Sequence, residues 1–435
     1  MGSAEGARFV KRWRPVPLLA AIWLILTAAQ TARLVVTGSL MSGDGVYHFA
    51  HLHSIVVDRD LDAGNEIRYF QQVARSPYTG RPKIGDYPTR HPVTREPINK
   101  YPVGLALFAL PAYTIVYGAA SILSSLGVAA DTSGYGAAYQ WAAGALLAGW
   151  YVAGLWCAYK AAVFMGVREQ SGWWATALAA AATPWLFYAT LEPFFAHALS
   201  ASVSAAMLWL WLCAREQDGS TTWWLTGLAA GVAGLIRYQD LSLLVVPAGD
   251  LLLGTAGAPR RLRHMAGLIS GCAFGFLPQL AVNAAVFGNP FTTGYANEGF
   301  LYWQSPWIGY SLFAADVGLL RWSPIVLLAT LGLAIASRRG WPHARWGLAL
   351  LALQLYLVSS WYFYSQGHSF GNRMLVNCTP VIAVGLAGLL TSLEPRPRAR
   401  AAVLAIGISL AAVNLLWMAL WATGRIGPLS GAPYS

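Results

Sequence analysis

Asp44, in Ser42-Gly43-Asp44-Gly45-Val46-Tyr47-His48, is the first residue of this sequence whose type and setting suggest chemistry. It follows the first apolar run directly, which puts a carboxylate at an interface. There it can take a proton from a bound hydroxyl or ligate a divalent cation. It can also serve as ordinary turn chemistry between two glycines. Glu192, in Tyr188-Ala189-Thr190-Leu191-Glu192-Pro193, is a second acid at a turn between apolar runs, where an unpaired charge is costly. The dipole of a helix starting near Pro193 offers it a structural role as well. Arg237 closes an apolar run and precedes Tyr238-Gln239-Asp240; it could clamp an anionic ligand or lock onto Asp240. Arg373, in Gln366-Gly367-His368-Ser369-Phe370-Gly371-Asn372-Arg373, lies in a loop rich in donors. Lys100 ends a long polar stretch where a lipid phosphate would lie, although any of these cations could snorkel to headgroups instead. Tyr101, His48, His197 and His368 join them as candidate substrate contacts.

Metal ligation is less clearly written. His48, His51 and His53 are close in sequence, but His51 and His53 cannot share a helix face; zinc would need i, i+4 spacing or a further partner. Asp58-Arg59-Asp60-Leu61-Asp62 has the acid spacing of a calcium loop with its glycine and closing glutamate misplaced. A divalent cation therefore stays open, with no ligand set assigned. No phosphate-binding loop, nucleophile elbow, zinc-protease helix or dinucleotide fingerprint is present, so a nucleotide-dependent site has no support.

These residues need elements to hold them. The chain has 435 residues, 56% hydrophobic and 11% charged, with a mean hydropathy of +0.48; soluble domains carry about 25% charged residues. Apolar runs separated by short polar turns imply an all-α polytopic membrane protein. The net charge of +11 falls in short clusters such as Lys11-Arg12-Trp13-Arg14, Arg260-Arg261-Leu262-Arg263, Arg338-Arg339 and Arg396 to Arg400. That is the pattern of cytoplasmic loops, and it leaves no case for nucleic acid. Cys157, Cys213, Cys272 and Cys378 stand singly and act as small apolar residues.

The N-terminus leads into an uncleaved first helix at about 16–40, which delivers 41–102 to the extracytoplasmic face. This loop, from Ser42 to Gly104, holds seven of the eighteen acids: Asp44, Asp58, Asp60, Asp62, Glu66, Asp86 and Glu96. A loop of this length without function is uncommon. Further apolar runs lie near 103–125, 137–159, 173–190, 195–214, 222–237, 241–256, 265–287, 317–336, 346–363, 374–391 and 401–422, within one domain spanning 1–435. About eleven to thirteen crossings follow. One conflict arises: two runs separate the outer loop from Lys160, which the charge rule places inside. Either 103–125, broken by Pro111, is re-entrant or a tight hairpin, or the rule fails at Lys160. Tryptophans and tyrosines fit interfacial belts, and Tyr302-Trp303 and Trp361-Tyr362 could also stack on a sugar.

Taken together, the chain resembles the GT-C superfamily of integral-membrane glycosyltransferases. It is similar to the bacterial branch related to protein O-mannosyltransferases and lipid A aminoarabinose transferases. The features that carry this are Asp44 after the first helix, the long loop closing on Lys100-Tyr101-Pro102, and the Tyr188…Glu192-Pro193 turn. Gly288-Asn289-Pro290-Phe291-Thr292-Thr293-Gly294-Tyr295 and Ser369-Phe370-Gly371-Asn372-Arg373 add to them. The resemblance implies a sugar donor on a polyprenyl phosphate, a lipid, glycan or protein acceptor, and a site on the outer face of a bacterial plasma membrane. Asp44 would match the catalytic base and Lys100 the contact to the leaving phosphate. Glu192 would match a second acid that orients acceptor or cation. Two departures stand out: Gly45 replaces a second acid found in many relatives, and Glu192 stands where aspartate is usual. Arg237 and Arg373 enter on electrostatics alone. The competing classes are a transporter or flippase of polyprenyl-linked sugars, which would place ionisable residues near the midplane of repeated halves, and an outer-face polysaccharide polymerase or ligase.

Overall fold

A computed structural model describes residues 15–73, 89–164, 166–217, 219–254, 257–295, 298–367 and 369–426, and among them there is no β-strand. Helix α1 (Pro15–Thr37) leads to two short helices, α2 (Asp44–His53) and α3 (Gly64–Val73). Then follow α4 (Gly104–Ser125), α5 (Ala137–Phe164), α6 (Glu169–Ala181), α7 (Trp185–Thr190), α8 (Ala196–Gln217) and α9 (Ser220–Ile236). The remainder is α10 (Val245–Leu253), α11 (Ala258–Phe287), α12 (Ile308–Phe313), α13 (Leu319–Trp322), α14 (Ile325–Arg338), α15 (Pro342–Ser360), α16 (Thr379–Ser392) and α17 (Pro397–Ala422). Seven segments are long and apolar enough to cross a membrane: α1, α4, α5, α8, α11, Arg373–Ser392 and α17. This is fewer than the eleven to thirteen expected crossings; among the described residues one shorter apolar helix, α14, adds to the seven.

Proline decides where several apolar runs break. The run near 173–190 divides into α6 and α7 at Thr183-Pro184, and the run near 317–336 divides into α13 and α14 at Ser323-Pro324. The ring removes a donor and disfavours helical geometry in the preceding residue. Pro111 behaves differently, because α4 continues through it.

Small residues set the packing. Cβ atoms added at Gly227 and Gly231 of α9 would collide with the carbonyls of Leu268 and Cys272, and at Gly271 and Gly275 of α11 with those of Trp224 and Leu228. Residue numbers rise together along both helices, so α9 and α11 run parallel with their backbones in contact, as paired small-xxx-small motifs allow. Gly332 and Gly385 do the same between α14 and α16. Inside the bundle, α8 and the Arg373–Ser392 segment are largely buried, while α1, α11 and α17 keep most of their apolar surface open. In hydrocarbon that outer surface carries no penalty.

Two ends can be distinguished. At one, Arg168 pairs with Glu394, Arg400 bonds Ser171, Arg215 pairs with Asp250, and His343 packs on Trp211. The basic clusters between apolar runs thus gather together. At the other end of α8, about 33 Å away for 22 residues, Phe194 and Phe195 pack on Gly45 and Gly43 beside Asp44. The topological conflict resolves here. Leu40 N–H donates to Gln140 Oε1 at 2.8 Å, so α5 starts on the side where α1 ends, and Lys160 lies towards the basic end as its charge requires. Helix α4 is one unbroken helix and not a tight hairpin, and the connection after it returns to α2: the Gly134 and Ser133 carbonyls bond Tyr113 and His53.

Candidate active site

The Gly-Asp-Gly sequence is explained by its neighbours. Gly43 has φ +46°, in the region glycine favours, and a Cβ there would lie 3.1 Å from the Phe195 ring. A Cβ on Gly45 would lie 3.2 Å from Phe194. Phe194 thus crowds any side chain at 45, and Asp44 stands as the acid at the start of α2.

Its carboxylate is held from both sides. The Tyr101 hydroxyl donates to Oδ1 at 2.8 Å and Arg373 donates to Oδ2 at 2.8 Å. Burial, then the Asp44 charge, keep the Tyr101 phenol well above its ordinary pKa, so it remains a donor. Arg373 is buried, its guanidinium 5.8 Å from the Phe195 ring centre, a cation–π contact. Its Nε finds no partner among the described residues.

Residues 99–103 are fixed with unusual thoroughness. Asn99 Nδ2 donates to the Tyr47 carbonyl at 2.8 Å and its Oδ1 accepts from Tyr101 N–H at 3.1 Å. His51 donates to the Tyr101 carbonyl and His48 to the Pro102 carbonyl, at 2.9 and 3.3 Å. Val103 N–H donates to Gln279 at 2.9 Å. Burial pushes the His48 pKa down to about 4 and lowers that of His51; both are neutral rings holding backbone. His48 therefore positions Tyr101, and the pair His48–His51 is turned to carbonyls instead of a shared metal.

Three more candidates gather around Asp44. Arg237 follows α9 in extended backbone, its guanidinium held by Gln239 Oε1 at 2.8 Å, the Met374 carbonyl at 3.4 Å and the Met374 sulfur. Among the described residues no carboxylate pairs with it, and the alternative lock onto Asp240 is not made: Asp240 instead accepts from Ser200 at 2.5 Å and Asn377 at 2.8 Å. His197 packs edge-on against Tyr188, ring centres 4.8 Å apart, with Nδ1 finding no partner among the described residues. Lys100 pairs with Glu298 at 2.5 Å and lies 5.4 Å from the Tyr295 ring centre. Tyr295, whose phenol is pushed up by burial and then by Asp44 and Glu298, was legible only as part of the Gly288–Tyr295 stretch. A Cβ on Gly294 would press against Lys100 Cα, so that glycine lets the stretch close over Lys100.

Glu192 is placed differently. Its Oε2 accepts from Ser42 at 2.5 Å and pairs with Arg33 at 3.0 Å, tying α1 to the turn before α8. It lies one short step from Asp44 through Ser42, yet its charge is already matched. His368 lies outside the described residues. Residues that the sequence did not mark include Glu298 and the buried amides Gln354 and Asn377, which join Gln239 and Asp240 in a polar chain, with Gln239 and Asn377 donating to Gln354 Oε1 at 2.6 and 3.1 Å. Buried amides in apolar helices are a readable signal, since such groups must be paired. A cavity of about 490 Å³ opens elsewhere, between Arg59, Asp60, Glu96 and Ala285, and does not include the Asp44 pair.

An acid at the end of α1, a long loop folded back on it and cations from distant helices make an arrangement that can be matched to known architectures. No protein-family model matches the chain, and no curated protein matches it. Solved structures do. The Archaeoglobus fulgidus oligosaccharyltransferase in its apo form superposes with a TM-score of 0.54 at 13% identity, covering 95% of this chain and 56% of its own. The archaeal oligosaccharyltransferase AglB from Archaeoglobus fulgidus with an inhibitory peptide and a dolichol-phosphate gives 0.48 at 11% identity, with the same coverages. A complex of the enzyme with Zn and sulfate gives 0.49 at 12%, covering 92% and 52%.

The chain has the GT-C fold.

It spans little more than half the length of these GT-C neighbours. On the GT-C frame, the expected divalent cation can be tested against the residues at Asp44. Among the described residues, the donors there are one carboxylate, a phenol and a guanidinium 2.8 Å from the carboxylate, and the nearby acid Glu192 is taken by Arg33. A cation bridging two acids does not fit this set, so no step at Asp44 is routed through a metal.

Proposed function

We propose that this GT-C chain is a glycosyltransferase that moves a sugar from a polyprenyl-phosphate donor to an acceptor hydroxyl. The observation that carries it is the Asp44 carboxylate fixed by Tyr101 and Arg373 with a second guanidinium, Arg237, held nearby by acceptors that are all neutral among the described residues. Asp44 takes the proton of the acceptor hydroxyl as its oxygen forms a bond to the anomeric carbon. The bond from that carbon to the phosphate oxygen breaks, with inversion, and the electron pair leaves with the phosphate. Arg237 and Lys100 meet the developing charge, which charge-assisted hydrogen bonds stabilise more in the transition state than in the ground state. Arg373 and Tyr101 aim the base. Trp361, edge-on to Tyr295 at 6.0 Å, offers a face for the sugar. The acceptor is a lipid, glycan or protein hydroxyl met by the loops. The gathered basic clusters support a cytoplasmic basic end, and with it the reading of Asp44 as extracytoplasmic in a bacterial plasma membrane.

The test is transfer by purified protein in nanodiscs against a panel of polyprenyl-phosphate sugars, with released polyprenyl phosphate measured. The expected result is release from one donor, lost by about 10²–10⁴-fold in Asp44→Asn. Donor binding without release from any sugar would replace the enzyme by a carrier of such lipids.

A further inference from the structure

The outer loop holds a second convergence of ionisable groups, apart from Asp44. His53 ends α2, Asp58 ends the π-helical turn Ser54–Asp58 that follows it, and Glu66 lies in α3. His53 Nδ1 is 2.9 Å from Glu66 Oε1 and 3.3 Å from Asp58 Oδ2, and one ligand atom from each residue lies within 4.8 Å of the others. Zinc-type bonds of about 2.1 Å put neighbouring ligand atoms about 3.4 Å apart in a tetrahedral shell. The spacing therefore matches a coordination sphere.

Hydrogen bonding sharpens this. His53 Nε2 is 2.9 Å from the Ser133 carbonyl, which can only accept, so Nε2 carries a proton and Nδ1 turns towards the two carboxylates. A second proton on Nδ1 could serve one carboxylate oxygen but not both acids. Ser54 donates to Glu66 Oε1 at 3.0 Å and Asn65 to Asp58 Oδ2 at 2.7 Å. Glu66 is 0% exposed and its Oε2 has no partner among the described residues. A fully buried carboxylate with one oxygen unpartnered and the other, Oε1, set against a histidine that also meets a second acid is costly unless something positive sits among them. A ring N–H on a backbone carbonyl is also the outer-shell support of metal-binding histidines.

We propose that His53, Asp58 and Glu66 bind one divalent transition cation of the zinc or manganese class. One imidazole and two carboxylates select such ions over soft-metal or all-oxygen chemistry. Its role is a clamp. It fastens the last turn of α2 to α3 and to the α4–α5 connection, and so fixes the helix whose first residue is Asp44. This site stands independently of the transferase reading.

The experiment uses the full chain in detergent, stripped with chelator and dialysed. Co²⁺ titrated into the wild type is expected to bind at one equivalent with the visible bands of a nitrogen–oxygen site. Zn²⁺ is expected to raise its melting temperature. Glu66→Gln should lose at least about 100-fold in affinity and Ser54→Ala about 10-fold, while Asp44→Asn retains the full equivalent. No bound Co²⁺ in the wild type overturns the proposal, whether or not the variants fold. Binding that is lost in Asp44→Asn but kept in Glu66→Gln would overturn it too, by moving the cation to Asp44.

Discussion

A single carboxylate gains its meaning from what holds it. Asp44 has a phenol on one oxygen and a guanidinium on the other, and these two partners should separate in kinetics. Tyr101→Phe removes one hydrogen bond to a charged acceptor, worth about 1.5–3 kcal/mol. The expected outcome is a fall in kcat of roughly 10- to 100-fold with the donor KM unchanged. Arg237→Gln touches the leaving phosphate instead and is expected to raise the donor KM. Steady-state kinetics over donor concentration checks both, and a KM effect for Tyr101→Phe would move it into donor binding. The histidine beside this pair makes a different prediction. Burial first, then His51 and Arg237, lower the His48 pKa from 6.5 to about 4, against the opposing pull of Asp44 and the Pro102 carbonyl. The unfolded chain thus binds a proton between these values that the folded chain does not. Stability from His48 is present above pH 6.5 and is lost as pH falls towards 4, by about 3 kcal/mol at most. Melting temperatures in detergent should fall over that window, and less steeply in His48→Asn. Equal slopes for the two proteins would show that His48 is not the group responsible.

Elements explain why some residues were legible and others were not. Helix positions followed from apolar runs: 103–125 became Gly104–Ser125, and 401–422 became the body of Pro397–Ala422. Sequence periodicity reads what lipid and core both favour, so these matched. Breaks at Thr183-Pro184 and Ser323-Pro324 were missed because hydropathy averages across a proline. Asp44, Lys100, Tyr101, Arg237 and Arg373 were readable as polar residues at the ends of apolar runs. Their mutual distances were not, since they come from four separate stretches. Glu192 shows the limit best. As a lone acid at a turn it invited a catalytic role, but its partner Arg33 lies inside α1, 159 residues away, where nothing local announces it. The pair is nine-tenths buried on the arginine side, 9% exposed against 17% for the acid. Breaking one partner of such a pair costs about 3–5 kcal/mol. Glu192→Gln is accordingly expected to lower the melting temperature strongly, while Arg33→Gln with Glu192→Gln recovers part of the loss. Transfer per folded molecule should stay within a few-fold of wild type. A drop comparable to Asp44→Asn at unchanged stability would return Glu192 to the chemistry.

For the whole molecule, the decisive quantity is the direction in which the bundle sits. Two sets of residues oppose each other along α8: the Asp44 cluster near its first turn and Arg215 with Asp250 near its last. Among the described residues, Lys160, Arg168, Arg215 and Arg400 lie towards the second end, in or beside loops that the chain leaves short. Short loops obey the charge bias because each arginine must otherwise be carried across hydrocarbon. Lys160, which looked like an exception when the apolar runs were counted, joins that end once α5 is seen to start beside Leu40. Orientation also limits chemistry, since a lipid-phosphate donor needs only a membrane while a nucleotide donor needs the cytoplasm. Single cysteines placed on a chain whose four native cysteines are replaced by alanine would decide it. A membrane-impermeant maleimide applied to intact spheroplasts is expected to label Cys introduced at the exposed Val93, in the segment beside α11, and to spare Cys at the exposed Arg339 until the membrane is permeabilised. The reverse pattern would put Asp44 on the nucleotide side and remove the main reason for choosing a polyprenyl-phosphate donor.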